Sequence, residues 1–88
     1  MEYTKEQMLP YDEWCYKYTY DNVESQFIIK RRKDTDWDAK TIVRINNIKY
    51  FRDSWISKEL MNDNPEFVIE YSTKGLIEDV NSGRIQTT

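Results

Sequence analysis

The stretch TIVRINNIKYFR, residues 41–52, decides the fold. Thr41 to Asn46 alternates its side chains in the two-residue period of a β-strand, with Ile42 and Arg44 on one face. Asn46-Asn47 suits a tight turn, because asparagine tolerates the left-handed backbone conformation that such a turn needs. Ile48 to Arg52 then repeats the strand pattern. The stretch therefore predicts an antiparallel β-hairpin.

Upstream of the hairpin, residues 11–20 fit two patterns. Trp14, Tyr16, Tyr18 and Tyr20 alternate as on a strand, whereas the spacing of Trp14, Cys15 and Tyr18 also fits one face of a helix. The aromatic content favours the strand. Both structures stay open at this point.

The segments around this stretch are shorter or more polar. Gln26 to Lys33 predicts another strand after a turn at Asp21-Asn22, and Asp34 to Asp38 predicts a polar connection to the hairpin. At the amino terminus, Thr4 predicts a helix of one or two turns, since Pro10 interrupts anything longer.

The last third of the chain predicts one short helix and two further strands. Asp53 or Ser54 can cap a helix that runs to about Met61. The alternation in Glu66 to Ser72 predicts a strand, and so does Leu76 to Val80. We therefore expect one domain over residues 1–88, of the α+β class. Its mostly antiparallel sheet would have five or six strands, with one or two short helices packed on it.

Composition argues against catalysis. The chain has no histidine, the side chain that most often serves as an acid-base group or metal ligand near neutral pH. Its one cysteine, Cys15, has no histidine to activate it and no second cysteine to pair with. We expect a cytoplasmic protein that is not an enzyme, with no cofactor and no metal ion. No apolar run is long enough to cross a membrane.

Aromatic residues instead suggest a binding function. Three tryptophans, seven tyrosines and three phenylalanines exceed what the core of an 88-residue chain needs, and exposed tyrosine is typical of contact surfaces. Acidic residues concentrate at both ends, with a net charge of −4 in residues 1–26 and −4 in residues 59–88. We therefore expect an acidic, tyrosine-rich surface that binds a partner protein. The residues expected in it are Glu13, Tyr16, Tyr18, Tyr20, Trp37, Glu70 and Asp79.

A basic segment offers an alternative from a different class. Lys30, Arg31, Arg32 and Lys33 are consecutive and could hold the phosphates of a nucleic acid. A third possibility is a small-ligand-binding oligomer, such as a homodimer, that seals its edge strands against each other.

The composition resembles that of small phage-encoded proteins that inhibit host functions. Ala39 is the only alanine and glycine occurs twice, while isoleucine, asparagine, lysine and tyrosine are abundant. This resemblance implies an inhibitor or adaptor of the anti-CRISPR or anti-restriction type. Its partner would be a host protein that handles nucleic acid, in the host cytoplasm.

Overall fold

Five strands and two helices make up the described part of the chain. The computed structural model describes residues 2–8, 13–31 and 35–84. The strands are β1 (Tyr3–Met8), β2 (Glu13–Tyr20), β3 (Val23–Arg31), β4 (Asp36–Ile45) and β5 (Ile48–Ser57), and the helices are α1 (Lys58–Asp63) and α2 (Pro65–Asn81). Each strand pairs antiparallel with the next, in the order β1-β2-β3-β4-β5. The predicted α+β class is confirmed, and residues 13–20 form a strand.

Two asparagine-containing turns set the register of the sheet. Asn46 and Asn47 have φ angles of 54° and 65°, and Asp21 and Asn22 have φ angles of 48° and 64°. Two successive positive φ angles match the right-handed twist of the flanking strands, so each pair closes a two-residue hairpin. The hairpin predicted at residues 41–52 is confirmed, with Ile45 opposite Ile48.

The two faces of the sheet have different environments. One face, called the core face here, packs against α1 and α2, and the other is called the open face. The core is built from side chains of the central strands and both helices: Tyr16, Tyr18, Phe27, Ile29, Trp37, Ala39, Met61, Val68 and Ile69. On the open face, charged side chains alternate in sign across the strands and form the pairs Glu6–Lys17, Glu13–Lys30 and Lys40–Asp53.

A buried hydrogen-bond chain joins α2 to the sheet. The Thr73 hydroxyl donates to the carbonyl oxygen of Ile69 at 2.6 Å, and Tyr18 Oη lies 2.6 Å from Thr73 Oγ1. Because the threonine hydroxyl has one hydrogen, the tyrosine hydroxyl donates in the second bond. These bonds satisfy the buried hydroxyl groups of Tyr18 and Thr73.

The strands predicted at Glu66 to Ser72 and Leu76 to Val80 are wrong, because α2 occupies both segments. Asn64 starts this helix by accepting from the backbone N–H of Phe67 at 3.4 Å, and Pro65 follows at the first helical position. The helix then buries a stripe of residues three or four apart, namely Val68, Ile69, Thr73 and Leu76.

Three other predicted segments also differ from the structure. Residues 3–8 form β1 and not a helix, because they pair along their length with β2. α1 begins at Lys58, since β5 continues to Ser57, whose side chain accepts from the N–H of Leu60 at 3.1 Å. The predicted polar connection is shorter than expected, as β4 begins at Asp36, and Asp34 lies outside the described residues.

Neither helix is long and apolar enough to span a membrane.

Candidate protein-binding edge

β5 forms one edge of the sheet. Its ten residues pair with β4 on one side only, and no further strand of the described chain lies beyond it. The outer side of such a strand presents backbone N–H and C=O groups that can pair with another strand. β5 is therefore the place where the fold offers the longest unpaired backbone.

Two large side chains stand beside this backbone on the open face. Phe51 is 48% exposed and Trp55 is 61% exposed, and their spacing of four places them on the same side of β5. The Lys40 ammonium lies 5.0 Å from the Phe51 ring centroid and 3.9 Å from a carboxylate oxygen of Asp53. Neither contact involves Trp55, most of whose side chain is exposed to solvent.

Two more aromatic rings lie on α2. Phe67 is 54% exposed and Tyr71 is 73% exposed, and the two rings stack with centroids 5.8 Å apart. They lie on the solvent side of the helix, opposite the buried stripe that includes Ile69 and Leu76. Since the core does not use these rings, they are available for contact with a partner.

A groove of about 440 Å³ separates α2 from β5. Its lining residues come from β4, β5 and the exposed side of α2: Thr41, Arg52, Ser54, Tyr71, Ser72, Lys74, Gly75 and Glu78. A Cβ atom at Gly75 would lie 3.6 Å from Nη1 of Arg52, so the guanidinium packs directly on the helix backbone at this position.

The Arg52 side chain joins the two walls of this groove. It donates to the Asp79 carboxylate on α2, which also accepts from Nε of Arg84 at 2.9 Å. The hydrogen bond from Arg52, followed by the bond from Arg84, lowers the pKa of Asp79 below its usual value. The carboxylate is therefore ionised at neutral pH and paired with two guanidinium groups.

The tyrosines predicted to contact a partner lie elsewhere. Tyr16 and Tyr18 are buried beneath the helices, and Tyr20 is half-buried against the same core. Burial raises the pKa of Tyr16 above its usual value and raises that of Tyr18 to about 12. Tyr16 and Tyr18 therefore stabilise the core and are not available to a partner, and Tyr20 is only partly exposed.

The other predicted contact residues do not share one surface. Trp37 is buried in the core, and Glu13 pairs with Lys30 at 3.6 Å on the open face. Glu70 and Asp79 lie on α2, on the opposite side of the sheet. The acidic ends of the chain therefore lie on different faces of the molecule.

The described part of the basic segment and Cys15 also lie away from the β5 edge, on β3 and β2. Lys30 lies opposite Glu13 on one neighbouring strand and Asp38 on the other, while Arg31 is exposed and Arg32 and Lys33 lie outside the described residues. Cys15 is buried on the open face. Burial raises the pKa of its thiol, with a smaller lowering by Lys17.

Sequence reasoning missed Phe51, Trp55, Phe67 and Tyr71. The strand predicted for residues 66–72 places Phe67 and Tyr71 on the same side as Ile69, so the pattern does not separate these two rings from the residue that is buried. Phe67 and Tyr71 are four residues apart, so in a helix they lie on one side, and Ile69 and Leu76 lie on another. This spacing is the signal that would have identified the two rings as exposed.

No protein-family model, curated protein or solved structure matches this chain. The geometry of the β5 edge is therefore the basis for a functional proposal.

Proposed function

We propose that this protein binds an extended segment of a partner protein, which adds to the sheet as a sixth strand beside β5. The observation that supports this proposal is a ten-residue edge strand with two exposed aromatic rings on its open face and the exposed Tyr71 ring of α2 beside its core face. In strand addition, backbone hydrogen bonds supply affinity, and pockets for alternate side chains supply specificity.

The side chains of an added strand would point alternately to the two faces of the sheet, and each set would contact this protein beside β5. Side chains of the added strand that point to the core face would enter the groove beside Tyr71 and Arg52. Those that point to the open face would pack next to Phe51 and Trp55. A segment that alternates in this way would bury the rings that the core leaves exposed.

The charge of the helices favours a basic partner segment. α1 and α2 contain six acidic residues and two basic residues, a net charge of −4. Glu66 and Glu70 lie next to the exposed ring pair on α2. Complementary charge raises the rate of encounter and selects among partners.

Proteins that handle nucleic acid expose basic segments, so we propose one of them as the target. The protein would then act as an inhibitor or adaptor and not as an enzyme. A phage origin, and with it a host protein in the host cytoplasm as the target, is supported by the composition. The buried thiol of Cys15, whose pKa is raised, supports a function without nucleophilic catalysis.

Selection from displayed random peptides of about ten residues, the length of β5, tests this function. We expect the selected peptides to be rich in lysine or arginine and in β-branched or aromatic residues. They should compete with one another for one site. Recovery of no peptide that binds the purified protein would contradict the proposal.

Two parallel measurements test the competing functions. If the β5 edge pairs with a second copy, sedimentation will show a dimer. The selected peptides would then either dissociate this dimer or fail to bind it. If the basic segment is the working surface, the protein alone will retard DNA or RNA in a gel at physiological salt. We expect a monomer that retards neither nucleic acid.

A further inference from the structure

A second cavity, of about 220 Å³, lies at the opposite end of the core face. β1 to β4 form its floor, and the junction between α1 and α2 forms its rim. It is lined by Tyr3, Lys5, Trp14, Tyr16, Ile29, Trp37, Met61, Asn62 and Pro65. It shares no lining residue with the groove beside β5, so any ligand bound here is independent of the function proposed above.

Aromatic rings and one ammonium group dominate the walls of this cavity. The rings of Tyr3 and Tyr16 meet edge to face, with centroids 5.3 Å apart. The Lys5 ammonium lies 4.3 Å from the Trp14 ring centroid and 5.6 Å from that of Tyr16. None of the ion pairs among the described residues involves Lys5. Its positive charge therefore lies over the rings, with no carboxylate partner among residues 2–8, 13–31 and 35–84.

Trp37 contributes a hydrogen-bond donor without an acceptor. Its indole Nε1 atom is fully buried and has no hydrogen-bond partner in the part of the chain that the structure describes. The indole N–H can only donate, and most buried donors in folded proteins have an acceptor. The ring of Trp37 lines the cavity, but because Nε1 is fully buried this N–H is not among the groups open to a ligand.

The beginning of α2 also favours negative charge in the cavity. Pro65, the first residue of this 17-residue helix, lines the cavity. The amino-terminal end of a helix carries a partial positive charge from its aligned peptide dipoles. No aspartate or glutamate is among the described residues that line the cavity.

These groups select the chemistry of a ligand. The ammonium of Lys5 and the start of α2 both favour an anionic group. The surrounding rings favour a planar apolar body. A cavity of about 150 Å³ can hold benzene, so a cavity of 220 Å³ has room for a benzene ring with a carboxylate.

We propose that this cavity binds an aromatic carboxylate, whose ring packs against Tyr3, Trp14 and Tyr16. The carboxylate would pair with the ammonium of Lys5. Two sources carry this chemistry: a free aromatic acid, and the carboxyl-terminal residue of a peptide that ends in phenylalanine, tyrosine or tryptophan.

The indole N–H signals of the three tryptophans provide a direct measurement. They are recorded by proton–nitrogen correlation NMR and assigned with single Trp→Phe variants. Titration with phenylacetate should shift the Trp37 signal, because the ring of the ligand enters the cavity that this indole lines, and should leave the signal of the distant Trp55 unchanged. The neutral analogue phenylacetamide should bind at least about tenfold more weakly, because it cannot pair with the ammonium.

Two peptides distinguish the sources. One ends in Gly-Phe with a free carboxylate, and the other ends in Gly-Phe-amide. Tighter binding of the carboxylate peptide than of phenylacetate would identify a peptide terminus as the ligand, and the reverse order would identify a free acid.

Lys5→Met tests the charge, with Lys17→Met as its matched control. Lys17 carries the same charge on the adjacent strand, but it pairs with Glu6 on the open face, away from the cavity. We expect Lys5→Met to weaken phenylacetate binding about tenfold and Lys17→Met to change it less than about twofold. Circular dichroism checks that both variants fold.

Three results would overturn this proposal: no shift of the Trp37 signal at saturating phenylacetate, equal affinity for the acid and the amide, or tighter binding of tetramethylammonium than of phenylacetate. The last result would indicate an aromatic cage for cations. If Lys5→Met does not fold, the comparison of acid with amide on the unchanged protein decides the question.

Discussion

The two edges of the sheet are built differently. β1 has six residues, and its core-face side chains Tyr3 and Lys5 turn inward over the rings of β2. Its open face carries Glu6, which pairs with Lys17 on the neighbouring strand. β5 has ten residues and directs Phe51 and Trp55 outward.

β5 carries three charged residues, and two of them are directed toward the protein's own elements. Arg52 is held by Asp79 on α2, and Asp53 lies beside Lys40 on β4. Lys49 is exposed near the start of the strand, so its charge can protect only that end of the edge. The rest of this long, aromatic edge is suited to accept another strand, whereas the short, charged β1 is not.

The largest effect expected is from the double substitution of Phe51 and Trp55 by alanine. Because buried aromatic anchors dominate binding energies, the affinity for a selected peptide should fall by about 100-fold or more. Both rings are half-exposed or more, so the free energy of unfolding should change by less than about 1 kcal/mol. Met8→Ala, which removes an exposed side chain from β1, is the control and should change affinity less than about twofold. Equal losses in the two variants would remove the distinction between the edges.

Alkaline pH should weaken both edges together, because both depend on the core that contains Tyr18. Burial raises the pKa of Tyr18 to about 12 in the folded state, against 10.0 for an ordinary tyrosine. Below pH 10 the hydroxyl is protonated in both states and its contribution is complete. As the pH rises from 10 to 12, the unfolded chain loses this proton first, so the folded state becomes less stable.

The expected loss is about 2–3 kcal/mol, from the difference of about two pKa units. Chemical unfolding at several alkaline pH values measures it. Tyr18→Phe, which cannot ionise at this position, should show a smaller loss over the same range. An identical pH dependence in this variant would show that Tyr18 is not responsible.

Tyr71→Ala should have an intermediate effect that is confined to binding. Removal of the most exposed ring of the groove should weaken peptide binding about tenfold. Asn81→Ala is the control, since Asn81 is exposed at the far end of the same helix. A loss in the control as large as in Tyr71→Ala would point to a general effect on α2.

The smallest effect is expected from Lys30→Ala combined with Arg31→Ala. These residues lie on β3, away from both edges, and Lys30 is paired with Glu13. Peptide affinity should change less than about twofold, since exposed ion pairs contribute little. If the unchanged protein instead bound nucleic acid at physiological salt and this variant did not, the basic segment would be the functional surface.

The sequence was sufficient to predict the hairpins, because asparagine pairs and two-residue alternation act locally. It was misleading at residues 66–72, where Phe67, Ile69 and Tyr71 alternate as in a strand. There the cap at Asn64 and the buried stripe of the helix prevailed, and Gly75, which falls between the two predicted strands, lies inside the helix. Tertiary packing, which the local pattern does not contain, made this choice.

The candidate site was less predictable than the fold. Among the residues expected to contact a partner, Tyr16, Tyr18 and Trp37 are buried, because the helices cover the face on which they lie. Which face α2 would cover, and which strand would remain an edge, depend on strand order. Composition indicated an excess of aromatic residues, but their exposure follows from the topology.

Amide hydrogen exchange of the protein, free and bound to a selected peptide, tests the central claim most directly. If the peptide adds as a strand to β5, alternate amides between Ile48 and Ser57 will gain protection, because every second N–H of an edge strand points outward. The amides of β1 will exchange at unchanged rates. Protection at β1, or peptide binding that leaves every β5 amide unchanged, would contradict strand addition at this edge.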